Sequence, residues 1–253
     1  MITRLSLANV AGGRFVDATG RYVDADRTAD FARTLAAQRP DVVVITELDP
    51  DGDQLDRLTP ELPYRLKHAF SPAHIPGVRR LGVGIASAYP LTDLGRIDLP
   101  NPPFPFLHWK TGELLEPHPK GFLAVRTGGL DLVGGQLCPV HMARDEAGTP
   151  YSYTEGAGLE FGRATAAYLK QELDKRGVRR LVLGGDLNMR NPGELLAPLG
   201  LVDTFPDPPP ATTPDGRSID RIFAGSDVPV TTVEVSALRG ADHFPVSCWI
   251  EEV

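Results

Sequence analysis

Residues 181–188 read Leu-Val-Leu-Gly-Gly-Asp-Leu-Asn. Three apolar residues in a row suit a strand buried on both faces, which is found where a sheet is covered by other layers on each side. The two glycines that follow are expected to end the strand in a sharp turn and expose the next side chains at the sheet edge. Alternation along an extended backbone would then point Asp186 and Asn188 the same way. One carboxylate and one carboxamide at the same spot suit a water or phosphate held beside a metal. They equally suit an Asx turn that closes a strand, because these side chains bond the backbone two residues on.

The same pattern, an apolar run ending in a polar side chain, recurs along the chain. Residues 2–10 alternate and end at Asn9 before the glycine loop of Gly12 and Gly13. Asp24 or Asp26 can cap a helix that runs through Phe31, Leu35 and Ala36 and is closed by Pro40. Residues 41–47 form a second buried strand whose last residue is Glu47, either a solvated strand end or a metal ligand. Two strands joined by a helix gather such ends on one rim of a sheet. Leu81–Ser87 is a glycine-rich strand, which marks a bulge or a close backbone approach. Residues 121–126 and 130–133 form a hairpin about Gly128 and Gly129, and the second strand is expected to continue to His141. Residues 155–176 form the clearest helix, ended by Gly177. Residues 218–223, 231–236 and 246–250 are further strands, interrupted by the proline-rich stretch 206–210 and the loop 240–245. With no repeat and no low-complexity linker, the expectation is one domain over residues 1–253.

Composition narrows the function. Of 253 residues 42% are hydrophobic and 23% charged, and the formal net charge is −7. Such an acidic chain is a poor indiscriminate polyanion binder, since that binding relies on many Lys and Arg contacts. Arg65, Lys67, His68, Arg79 and Arg80 could still form a local basic edge, or simply a solvated face. Cys138 and Cys248 have no metal-type spacing and read as reduced core residues on strands. No segment is apolar for long enough to span a membrane, and the N-terminus lacks a signal-peptide core, so the expected compartment is the cytoplasm. Residues 99–120 are crowded with prolines and aromatics. A long ordered loop of this kind is a candidate for substrate recognition through His108, Trp109, Lys110 and His118, or a segment packed by its own rings.

Asn9, Glu47, Asp186, Asn188, Asp220, Asp242 and His243 all fall at or near the end of an expected strand. Magnesium takes oxygen ligands, keeps several waters, and needs only one or two carboxylates plus a substrate phosphate. Glu47 with Asn9 meets that need. Asp242 beside His243 offers a carboxylate that would raise the pKa of an imidazole.

Taken in order, the pieces LSLANV, VVVITEL, GVGIASAYPL, LVLGGDLNMR, SIDRIF and GADHFPV resemble the endonuclease/exonuclease/phosphatase superfamily over nearly the whole chain. The resemblance implies a four-layered α/β sandwich: two mainly antiparallel sheets face to face, with helices outside. It also implies phosphoester cleavage with a divalent cation, magnesium or else manganese, on a nucleic acid or a small phosphorylated molecule. No protein partner is implied. On that resemblance Asn9, Glu47 and Asp242 would serve the metal, with Asp242 alternatively orienting an imidazole. Asp186 would orient or deprotonate the attacking water, Asn188 would bond the scissile phosphate, and His243 would stabilise its developing charge. Asp220 would support the rim from behind.

The sequence departs from the family pattern at one important place. Aligning Leu130–Leu137 with the strand before the long helix puts Gln136 where a histidine is usual. Glutamine can hydrogen-bond phosphate but exchanges no proton near neutral pH. His141 could fold back to serve, or could be a loop histidine facing water. Thr46 stands where glutamine is common, a smaller change because only the acid beside it binds metal. The alternative function is therefore a binding protein, or a repurposed biosynthetic enzyme, on the same scaffold.

Overall fold

The computed structural model describes residues 2–73, 75–105, 114 and 119–251. His108, Trp109, Lys110 and His118, the expected recognition residues, lie outside the described residues. In chain order come β1 (Ile2–Asn9), α1 (Thr28–Gln38), β2 (Val42–Leu48), α2 (Gln54–Leu58), β3 (Tyr64–Pro72), β4 (Arg80–Ser87), β5 (Thr92–Asp98), β6 (Gly121–Thr127) and β7 (Leu130–Gln136). Then follow α3 (Gly156–Lys175), β8 (Leu181–Asp186), α4 (Gly193–Leu196), β9 (Leu201–Asp203), β10 (Asp220–Gly225), β11 (Val230–Val235) and β12 (Val246–Glu251).

The strands form two six-stranded sheets, ordered β11-β12-β1-β2-β4-β3 and β5-β6-β7-β8-β10-β9. Each sheet has one parallel pair at its centre, β1 with β2 and β7 with β8, and every other neighbouring pair is antiparallel. A parallel pair needs a long crossover, supplied by the segments that carry α1 and α3. The sheets face each other through Leu5, Leu7, Val44 and Ile85 on one side and Leu123, Val125, Val182 and Ile222 on the other. The alternate residues of the same strands, Val43 and Ile45, pack outward on Phe31, Leu35, Leu55 and Leu58 of α1 and α2. Phe122, Val133 and Leu183 likewise pack on Phe161, Leu169 and Leu173 of α3. The central strands are thus buried on both faces, which is why they read as unbroken apolar runs, and each such side chain contributes about 1.5–3 kcal/mol. The four-layered sandwich implied by the resemblance is the architecture observed. No helix among the described residues is long and apolar enough to cross a membrane.

Three local expectations need correction. Gly184 and Gly185 do not turn the chain; they lie inside β8, which runs on to Asp186. A Cβ on Gly185 would overlap the Gly135 carbonyl oxygen, so Gly185 allows β7 and β8 to lie close together. β7 stops at Gln136, and Val140–Met142 is a single tight turn, so His141 is not at a strand end. Cys138 therefore lies beyond β7, while Cys248 sits on β12; both are free and buried, and burial pushes both thiols up to about 12.

Candidate functional site

The C-terminal ends of the four parallel strands meet on one rim. Asn9 ends β1, Gln136 ends β7, Asp186 ends β8, and Glu47 is one residue from the end of β2. This is the edge at which layered α/β sheets gather their ligands. In the second sheet the register is direct: Gln136 pairs with Asp186, and Asp186 with Asp220 at the start of β10. The three side chains follow the alternation that sends Leu132, Val182 and Ile222 into the space between the sheets. They therefore cap the inter-sheet core.

Glu47 reaches that space by a different route. Val42 and Val44 face inward, so regular alternation would place Thr46 inward and Glu47 toward the helices. Thr46 instead pairs with Val83 and Leu48 with Gly82, which leaves Glu47 as the extra residue of a bulge. Its φ is 51°, in the left-handed region that a glutamate rarely adopts. The bulge re-aims the carboxylate inward, and such backbone strain is concentrated at functional sites.

A hydrogen-bond network ties the rim together. Gln136 Nε2 donates to Glu47 Oε1 at 2.9 Å and to Asp186 Oδ2 at 2.9 Å. Lys120 Nζ donates to Gln136 Oε1 at 2.6 Å and stands 3.9 Å from Glu47 Oε1. Asn9 Nδ2 donates to Asp186 Oδ2 at 3.2 Å, while Asn9 Oδ1 accepts from the Ala11 amide at 3.1 Å. Asn9, Glu47, Lys120, Gln136, Asp186 and Asp220 are all buried, none more than 8% exposed. Asn188, φ 52°, donates its backbone N–H to Asp186 Oδ1 at 3.0 Å and its Nδ2 to the Leu137 carbonyl at 2.9 Å. The Asx turn and the clustering of Asp186 with Asn188 are thus both present.

His243 Nδ1 is 2.8 Å from Asp220 Oδ2. Burial pulls the imidazole pKa down, but Asp220, Asp186 and Asp242 overcome it and hold it well above the usual histidine value. His243 is therefore a cation near neutral pH and donates its Nδ1 proton to Asp220. Its ligand atom lies within 4.8 Å of those of Asp186 and Asp220, but a protonated imidazole cannot ligate a metal. Tyr22 donates its hydroxyl to Asp242 Oδ2 at 2.7 Å, and burial with the charges of Glu47 and Asp242 raises the phenol pKa. Burial also raises the carboxyl pKa of Asp186, with Asp220 and Glu47 adding to it against His243 and Gln136. Burial raises Asp242 as well, with Glu47 adding to it against His243 and Tyr22.

Charge and geometry together fit a divalent cation. Among the described residues, Glu47, Asp186, Asp220 and Asp242 stand with the ammonium of Lys120 and the imidazolium of His243. Burial first, and the neighbouring carboxylates after it, are what raise Asp186 and Asp242, and a cation among them would relieve both. Asp220 Oδ1 and Asp242 Oδ1 are buried with no hydrogen-bond partner among the described residues. An all-oxygen donor set with unsatisfied lone pairs suits a hard cation such as magnesium.

Two expected features take a different form, and two residues were missed. His141 makes no hydrogen bond to these carboxylates; removal of water around its ring and the charge of Arg217 lower its pKa, against Asp186 and Asp215, although the residue as a whole is exposed. The basic edge is largely taken up locally: Arg65 pairs with Asp56, Arg80 with Asp51, and Lys67 with the Gly52 carbonyl. Lys120 and Tyr22 joined the rim without any motif to announce them. The hairpin register would have found Lys120, since counting back from Thr127 opposite Leu130 brings it beside the end of β7. No comparable local signal marks Tyr22.

The family model described as "Endonuclease/Exonuclease/phosphatase family" matches residues 7–243. Among curated proteins none matches the chain. Solved structures that share the fold include the following three. An endonuclease/exonuclease/phosphatase from Beutenbergia cavernae is 20% identical, with a TM-score of 0.67, covering 98% of this chain and 71% of its own. The human Nocturnin catalytic domain with bound sulfate anion is 14% identical, with a TM-score of 0.59, covering 99% of this chain and 93% of its own. D. rerio TDP2 complexed with single strand DNA product is 17% identical, with a TM-score of 0.56, covering 99% of each chain. With its strand-end carboxylates gathered on one rim and the family match running through all of them, the chain belongs to the endonuclease/exonuclease/phosphatase family.

Proposed function

We propose that this protein is a divalent-cation-dependent phosphoesterase that cleaves its substrate by in-line attack of water on phosphorus. The observation that carries the reading is the gathering of Glu47, Asp186 and Asp220, all buried, with half-buried Asp242 on one rim, where Asp220 Oδ1 and Asp242 Oδ1 have no hydrogen-bond partner among the described residues. Glu47 and Asp242 would hold the ion, with Asn9 beside them, and magnesium or manganese fits the donor set. When bound, the cation supplies Lewis-acid neutralisation of the phosphate oxygens. Asp186, fixed by donors from Asn9, Gln136 and Asn188, orients the attacking water and accepts its proton. His243, held protonated by Asp220, keeps its other N–H as a donor for the charge that develops on the phosphoryl oxygens. The second N–H of Asn188 Nδ2 is a donor for the same oxygens, while Gln136, whose NH2 is spent on Glu47 and Asp186, braces the two carboxylates, and His141 would be a further donor.

The substrate class follows from charge. An acidic chain in whose basic edge Arg65 and Arg80 are paired with its own aspartates favours a small phosphodiester or a single strand over duplex DNA. The sulfate on Nocturnin and the single-strand DNA product on TDP2 agree with an anionic substrate at this fold. A second reading, a non-hydrolytic binding protein, draws support from Gln136, whose amide occupies both carboxylates without offering a titrating proton. Turnover of bis-p-nitrophenyl phosphate, single-stranded oligonucleotide and plasmid DNA, with and without magnesium, separates the two. The phosphoesterase reading expects magnesium-dependent hydrolysis that Asp186→Ala abolishes with folding intact. Magnesium binding without hydrolysis of any of the three would favour the binding protein.

A further inference from the structure

Lys120 has a place on the rim that the phosphoesterase reading does not use. It lies one residue before β6 and is 7% exposed. Its stem runs along a small cleft walled by Phe70, Leu81 and Val83, and its ammonium reaches Gln136 Oε1. An ammonium only donates and an ionised carboxylate only accepts, whereas a carboxamide accepts at one end and donates at the other. The group behind Gln136 therefore decides which end faces Glu47 and Asp186. With Lys120 bound to Oε1, the NH2 end turns to both carboxylates, each at 2.9 Å. The reversed amide would set oxygen against two carboxylate oxygens and NH2 against the ammonium, losing three hydrogen bonds for three repulsions.

We infer that Lys120 is a positioning residue that acts through Gln136. By fixing the direction of the amide it braces Glu47 of one sheet against Asp186 of the other. The pair thus does the cross-sheet bracing at the place where the family resemblance expects a single imidazole. Only the kinetic readout of this inference rests on the phosphoesterase reading.

The test uses Lys120→Met, which keeps the stem and removes the donor, and Lys120→Gln, which keeps a donor and removes the charge. Lys120→Met is expected to lower kcat about 10–100-fold with KM nearly unchanged, the usual range for losing a group that orients a ligand. Lys120→Gln is expected to recover most of that loss. The double variant Lys120→Met/Gln136→Met should be no worse than the more damaging single one, because both remove the same brace. Equal loss in Lys120→Gln and Lys120→Met would mean that the charge itself matters, and would overturn the inference. Additive losses, or a Lys120→Met enzyme with normal kcat, would do the same. A readout independent of turnover is the side-chain NH2 of Gln136 in protein labelled with 15N-glutamine. That pair is expected to exchange slowly and to stand apart from solvated amides in the parent protein, and to collapse toward them in Lys120→Met but not in Lys120→Gln. An unchanged amide in Lys120→Met sinks the brace whatever the activity. A changed amide in a protein that hydrolyses no phosphoester sinks the function reading alone.

Discussion

Asp220→Asn keeps the shape of the side chain and removes the charge that faces His243. In the parent protein the two groups are 2.8 Å apart, with Asp220 only 1% exposed. Burial opposes the charged imidazole, and Asp220 is the largest of the influences that restore it. Breaking a buried pair while the remaining charge stays costs about 3–5 kcal/mol. His243 can escape that cost by giving up its proton, so the penalty depends on pH. Because its folded pKa is raised, His243 stabilises the fold fully below the unfolded histidine value of about 6.5. That stabilisation then fades as pH climbs through the higher folded value. Urea unfolding of both proteins reads this directly: the stability gap should be about 3–5 kcal/mol near pH 6 and should narrow as pH climbs through the raised folded value. In the same variant kcat should fall by about 10²–10³, the range for losing a donor aimed at developing charge. A gap that widens with pH, or no gap near pH 6, would refute the reasoning, because then His243 is not held charged by Asp220.

Two further outcomes follow from the packing and electrostatics. Gly185→Ala should destabilise by about 1–3 kcal/mol or more, since its methyl group would overlap the Gly135 carbonyl and push β7 from β8; a melting temperature equal to that of the parent protein would contradict the close approach. Magnesium binding near pH 5 should release protons, because Asp186 and Asp242 carry raised pKa values that a cation would lower; calorimetry in buffers of different ionisation enthalpy measures this, and proton uptake would contradict it.

The layers were legible in the sequence because the central strands are buried on both faces. Val42–Ile45 and Leu181–Leu183 cannot be solvent-facing on either side, and each announced its strand. β3 and β5 were missed because they are edge strands, half-exposed and rich in charged residues, and so carry no such signal. The rim was legible as a set of polar residues at strand ends, but its internal geometry was not. Nothing local to VVVITEL says that Glu47 sits on a bulge; only its pairing with β4 turns the carboxylate inward. Gly184 and Gly185 looked like a turn because glycine fits turns and close approaches equally, and only the neighbouring strand decides between them. Tyr22 joined the rim through a contact 220 residues away along the chain, which no window of sequence contains.

The most direct test is Glu47→Gln, which keeps the bulged residue's shape and its capacity for hydrogen bonding but removes the charge aimed between the sheets. Magnesium titration by calorimetry and hydrolysis of bis-p-nitrophenyl phosphate would be followed on the same preparations. The parent protein should bind the ion and hydrolyse only in its presence, while Glu47→Gln should melt normally and lose both. Undiminished magnesium binding and turnover in Glu47→Gln, or parent turnover that persists in excess chelator, would show that the gathered carboxylates are not a cation site.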